Sequence, residues 1–155
     1  MCIIIHREKG NVPNAILESN RHRNPDGFGI AWRENGSLKW QKFAPSEYGP
    51  FHQLLKNLDR DGTTEYVAHY RLATHGKPSQ ELSHPFEYED EAEGTVLVFH
   101  NGIIPISTPK DESDTRYFVN RILKQLPSGW WHNPALVYLV EEAIGSSRLL
   151  VMTAR

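Results

Sequence analysis

Apolar side chains in this sequence come in short bursts separated by polar turns, and the spacing within the bursts changes after Asn101-Gly102. Cys2 to His6 (CIIIH) is apolar and β-branched, which predicts a buried strand because branched side chains fit a pleated surface. Residues 11–23 predict a short helix with Pro13 in its first turn. In NPDGFGIAWRENGSLKWQKF two alternating runs flank Asn35-Gly36. A type I′ turn needs positive φ at both central residues, so this pattern predicts a hairpin. PFHQLLKNLD predicts a modest helix, and EYVAHYRLA and TVLVFHNG predict two further strands. Between those strands, THGKPSQELSHPFEYEDEAEG combines turn formers, two prolines and an acidic cluster without sustained periodicity. It predicts a long loop of the kind that often carries function, with EYEDEAE as a solvated stretch.

After Asn101-Gly102 the period becomes helical. Ser113 is a candidate N-cap, and Phe118, Ile122 and Leu126 share one face at spacings of four. Asn133-Pro134 opens a second helix with Leu136, Leu139, Val140 and Ala143 on its face and Gly145 at its end. Trp130-Trp131 reads as packing against this helix pair, and RLLVMT as a last strand. Strands first and helices later predict one layered α+β or α/β domain over residues 1–155.

The totals narrow the function. Seventeen basic and nineteen acidic side chains give a net charge of -2, which offers no electrostatic footprint for nucleic acid or an anionic membrane. No apolar stretch approaches the roughly 20 residues of a membrane span, and the N-terminus lacks the pattern of a secretory signal. One cysteine makes no internal disulfide, so a reducing, cytoplasmic setting is expected.

That cysteine is the candidate nucleophile. If Met1 is removed, the Cys2 thiol and a free α-amine belong to one residue, and an α-amine titrates at about 7.7–8.0, where a general base works well near neutral pH. Nucleophile and base would then be supplied together. A small buried apolar side chain behind the initiator is the plainer alternative.

Four more segments extend the first alternative: NRHRNPDGFGIAW, AHYRLATHGKPSQELSHPF, VFHNGI and ESDT. In this order behind an N-terminal cysteine, they resemble the class II glutamine amidotransferases of the N-terminal-nucleophile (Ntn) hydrolase group, nearest in wording to the small branch that includes γ-glutamyl amidohydrolases. The resemblance implies a four-layer αββα sandwich of two mainly antiparallel sheets, in a shortened version. It also implies glutaminase chemistry without cofactor or metal, through a γ-glutamyl thioester on Cys2, with ammonia released or passed to a synthetase acting in trans. Arg71 matches the clamp for the substrate α-carboxylate, to which a guanidinium fork is suited. Thr74 and His75 match the loop lining the glutamine pocket, and His84 is a further candidate substrate contact. Asn101 and Gly102 match the oxyanion hole, and Asp114 matches the carboxylate that holds the α-ammonium. Asp26-Gly27 match a structural motif behind the nucleophile.

Taken singly, these residues have ordinary readings: Arg71 as an ion pair, Asn101-Gly102 as a turn, Asp114 as a helix first-turn acid. The histidines His69, His75, His84 and His100 follow no established zinc spacing. Family members commonly carry Gly where Ile3 stands and an aromatic residue where Leu72 stands, and their domains are longer. These departures, with an amine blocked whenever Met1 is kept, support a second reading: an inactive amidotransferase-like fold serving as a binding or interaction module. Homo-oligomerisation is left open.

Overall fold

A computed structural model of the chain describes residues 1–60, 62–74 and 76–154. Among the described residues seven strands and four helices follow in the order β1 (Ile3–Arg7), α1 (Asn14–Arg23), β2 (Phe28–Glu34), β3 (Ser37–Phe43), α2 (Tyr48–Asp59), β4 (Tyr66–Tyr70), β5 (Phe86–Asp90), β6 (Gly94–Asn101), α3 (Asp114–Arg121), α4 (Pro134–Ile144) and β7 (Arg148–Met152). The first four strands form one antiparallel sheet in the order β1-β4-β2-β3, and the last three form a second in the order β5-β6-β7.

Three apolar clusters hold four layers together. Alternation along β4 sends Tyr66, Ala68 and Tyr70 to the outer face of the first sheet, where they pack with Leu17 of α1 and Phe51 and Leu55 of α2. Val67 points the other way and meets Ala31, Leu97, Phe99 and Met152 between the sheets. Val96 and Val98 of β6 face outward again, against Phe118 and Val119 of α3 and Val140 and Ile144 of α4. The result is the expected αββα sandwich.

The hairpin forms where Asn35-Gly36 predicts it, with φ of 50° and 74°. Asn133 caps α4 by accepting from the Ala135 N–H, and Ser113 caps α3 by accepting from the Arg116 N–H.

Three expectations are corrected. The stretch after His84 is not all loop, because Phe86–Asp90 forms β5. Phe86 and Tyr88 are buried in the outer core while Glu87 and Glu89 alternate into solvent. Five residues of period two are too few to stand out beside two prolines and an acidic run. The second correction concerns α3, which ends at Arg121 and leaves Ile122 39% exposed, while the chain tightens into a 3₁₀ turn that brings Leu123 inward. The third concerns α4, which buries Val140 and Ile144 and leaves Leu139 60% exposed. Its sequence is apolar almost all round, so no polar face fixes the phase.

The segment leading into β5 lies directly against Gly29 of β2. A β-carbon there would sit inside contact distance of the His84 backbone carbonyl, which has no flexible end to move aside. Gly29→Ala should therefore cost about 3 kcal/mol or more by equilibrium urea unfolding, beyond ordinary overpacking. An unchanged midpoint would show that the two segments part easily here.

Candidate active site

Antiparallel pairing of β1 with β4 sets Ile3 opposite Tyr70. Carried one residue further, it brings Cys2 to the Arg71–Leu72 peptide. The Leu72 N–H donates to Cys2 Sγ at 3.4 Å, and the thiol donates to the Leu72 carbonyl at 3.6 Å. Upstream, the Met1 carbonyl accepts from Asn24 Nδ2 at 2.6 Å, which fixes the peptide preceding the cysteine.

Around the sulfur lies a narrow pocket of about 20 Å³, room for roughly one water. Cys2, Arg71, Thr74, His84, Gly102 and Asp114 all line it, although they come from both sheets and from the N-terminus of α3. Asn101 precedes Gly102 at the end of β6 and is not among the lining residues; its side-chain oxygen is buried with no partner among the described residues. His75 lies outside the described residues.

Arg71 is held from several sides. Its N–H donates to the Gly27 carbonyl, its own carbonyl accepts from the Asp26 N–H, and Asp26 Oδ2 accepts from the Ala73 N–H at 2.8 Å. Asp26-Gly27 thus brace the segment carrying the guanidinium. Gly27 has a φ of 137°, and a β-carbon on it would collide with Ser83 Oγ. The guanidinium is buried and donates through Nη1 to the Lys77 carbonyl at 2.7 Å. Gly102 also has a φ of 137°, and a β-carbon there would come within 2.5 Å of Ser147 Oγ, so the backbone at this rim stays bare.

Asp114 is braced by main chain: Oδ2 accepts from the Ile104 N–H and Oδ1 from the Thr115 N–H, each at 2.8 Å. Three histidines underlie the pocket. His69 and His84 stack with ring centroids 3.9 Å apart, and His100 bonds through Nδ1 to Thr115 Oγ1 at 2.8 Å. Burial drives all three below the ordinary imidazole value, His69 to about 3, so they are neutral at pH 7. His100 and Thr115 were not singled out as site residues from sequence. The signal for them was faint: a histidine in phase with buried Val96 and Val98 on an otherwise apolar strand.

The model for class II glutamine amidotransferases matches residues 16–128. The chain belongs to that family. The matched stretch contains Arg71, Thr74, Asn101, Gly102 and Asp114 and begins downstream of Cys2. Among curated relatives, this class II chain is 29% identical over 148 residues to the glutamine–fructose-6-phosphate aminotransferase (isomerizing) of Rhizobium meliloti, covering 88% of this chain and 23% of that protein. Against the Aquifex aeolicus protein of the same name it is 40% identical over 91 residues, 57% of this chain and 14% of that one. The chain therefore spans a quarter or less of the length of these relatives. Two solved structures share the fold over 99% of the chain. The glutamine phosphoribosylpyrophosphate amidotransferase of B. subtilis has a TM-score of 0.58 at 17% identity, with 35% of that chain covered. An allosteric regulatory enzyme of purine biosynthesis has a TM-score of 0.61 at 19% identity, with 36% covered.

The thiol's state follows from its surroundings. Burial pushes the Cys2 thiol up, against the Leu72 N–H, the Arg71 guanidinium and the N-terminal charge, which favour thiolate; Asp114 adds to the rise. With Met1 in place, alkylation by iodoacetamide should reach half its limiting rate above pH ~8.5, the ordinary thiol value. Arg71→Met should move that midpoint higher still, because it removes the cation that favours thiolate. Intact mass against time at each pH reads both, and a midpoint near neutrality would show that the cation outweighs burial.

Proposed function

We propose that the chain hydrolyses the side-chain amide of glutamine, or of another γ-glutamyl compound, with Cys2 as nucleophile once Met1 is removed. The observation that carries this reading is the meeting of Cys2, Arg71, Gly102 and Asp114 on one pocket. Arg71 takes the substrate α-carboxylate, which replaces the Lys77 carbonyl at Nη1. Asp114 takes the α-ammonium, and Thr74, His75 and His84 contribute further contacts. The amide carbonyl then lies toward Cys2.

A thiol raised by burial supplies little thiolate at pH 7, so it needs a base. The freed α-amine of Cys2 takes the thiol proton as sulfur adds to the carbonyl carbon. Negative charge grows on the carbonyl oxygen, where the Gly102 N–H and the Asn101 amide donate to it; losing one such donor typically costs about 10²–10³ in rate. The amine returns its proton to the departing nitrogen, ammonia leaves and a γ-glutamyl thioester remains. Water adds to the thioester, and glutamate and the thiol are regenerated. The relatives named above are an aminotransferase and an amidotransferase, which supports delivery of the ammonia to an acceptor-modifying domain or to a synthetase in trans.

A second reading has its own observation. The pocket around Cys2 is only about 20 Å³, room for roughly one water, which supports a fold kept for interactions elsewhere on its surface rather than for turnover. Intact mass separates the two, since a retained Met1 leaves Cys2 without its amine.

For protein lacking Met1, glutamine-dependent ammonia release should be lost in Cys2→Ala, and equal output from both would remove Cys2 from the mechanism. Arg71→Ala should raise KM for glutamine about 100-fold or more, because the carboxylate loses a buried charged partner. In the native protein, kcat/KM should rise with pH until the α-amine is free, near its ordinary value of about 8. A flat profile from pH 6 to 9 would exclude that base.

A further inference from the structure

We infer that His100 is a recognition residue for the substrate's α-ammonium; the inference rests on the amino-acid-amide reading above and adds a contact to it. His100 lines the pocket, and its Nε2 is buried without a partner among the described residues. The opposite nitrogen fixes what Nε2 is. Thr115 Oγ1 lies 2.8 Å from His100 Nδ1 and 3.4 Å from Asp114 Oδ1. We assign the hydroxyl proton to Asp114 and Nδ1–H to the hydroxyl oxygen, because the reverse tautomer would bury an Nε2–H donor without an acceptor among the described residues. A neutral ring protonated at Nδ1 carries a bare lone pair at Nε2.

The backbone holds this arrangement still. The His100 carbonyl accepts from His69 Nε2 at 3.1 Å, and Asp114 is tied to the Ile104 and Thr115 N–H groups. Asp114 Oδ1 is taken up by the Thr115 N–H and hydroxyl, and Oδ2 keeps a free lone-pair direction after its bond from the Ile104 N–H. That end of the pocket therefore presents acceptors from two residues, which suits a group with three N–H donors. Arg71, on the same pocket, presents donors for a carboxylate. The two together would read an α-amino acid and reject the same amide lacking its amine.

The test compares L-glutamine with 4-carbamoylbutanoate, its des-amino analogue, on protein lacking Met1. His100→Asn keeps an amide N–H where Nδ1–H stood and removes Nε2. It should lower kcat/KM for glutamine by about 10–100-fold, the worth of one hydrogen bond to a charged group, with the loss in KM. The value for the analogue should stay within about twofold. Thr115→Val, which frees the ring proton to move to Nε2, should reproduce the selective loss, and it serves if His100→Asn does not fold. Equal losses on both substrates, or none on glutamine, would overturn the assignment. Calorimetric binding of the same two compounds separates this inference from the hydrolase reading. Selective weakening of glutamine without any turnover would keep His100 and remove hydrolysis, and no binding of glutamine at all would remove both.

Discussion

The antiparallel register between β1 and β4 is the constraint on which the site depends. Successive side chains on a strand face opposite sides, so Ile3 and Ile5 join the outer core while Ile4 joins the layer between the sheets. Cys2 shares the parity of Ile4. A slip of one residue would turn the thiol to the helical face and away from Arg71. The same pairing supplies the Leu72 peptide that grips the sulfur through both its N–H and its carbonyl. Because Asp26-Gly27 brace Arg71 from β2's side, three neighbouring strand ends fix two side chains relative to each other.

Charge in the pocket is distributed by burial. His69 and His84 are held neutral by desolvation first and by neighbouring charge, Arg71 included, second. Their ring centroids lie 3.9 Å apart at a tilt of 31°, and the rings add no cation to the pocket that Cys2, Arg71 and Asp114 share.

Much of this was legible in the residues, for physical reasons that can be named. Asn35-Gly36 announced its turn because few other pairs tolerate positive φ twice, and Asn133-Pro134 announced a helix start because cap and ring geometry suit nothing else as well. Motif wording singled out Cys2, Arg71, Thr74, Gly102 and Asp114, and the fold brings these five to one pocket. What stayed hidden depends on contacts between distant segments. Nothing local marks His100 as a neighbour of Thr115, nor Gly29 as the point where the His84 carbonyl lies against β2. The phase of α4 was hidden for the opposite reason, a surplus of apolar positions. β5 was hidden by acidic residues that belong on its wet face.

The first residue has a practical meaning for anyone handling this protein. Met1 is 77% exposed while its carbonyl accepts from Asn24, so its side chain packs against no layer of the fold. An affinity tag fused upstream would hang in solvent and leave every layer in place. Such a preparation would look sound by circular dichroism, gel filtration and melting curve while its cysteine sat in mid-chain, acylated at nitrogen. Under the mechanism proposed above, good folding and chemical competence would be separate properties at this terminus, distinguished by mass analysis of the extreme end.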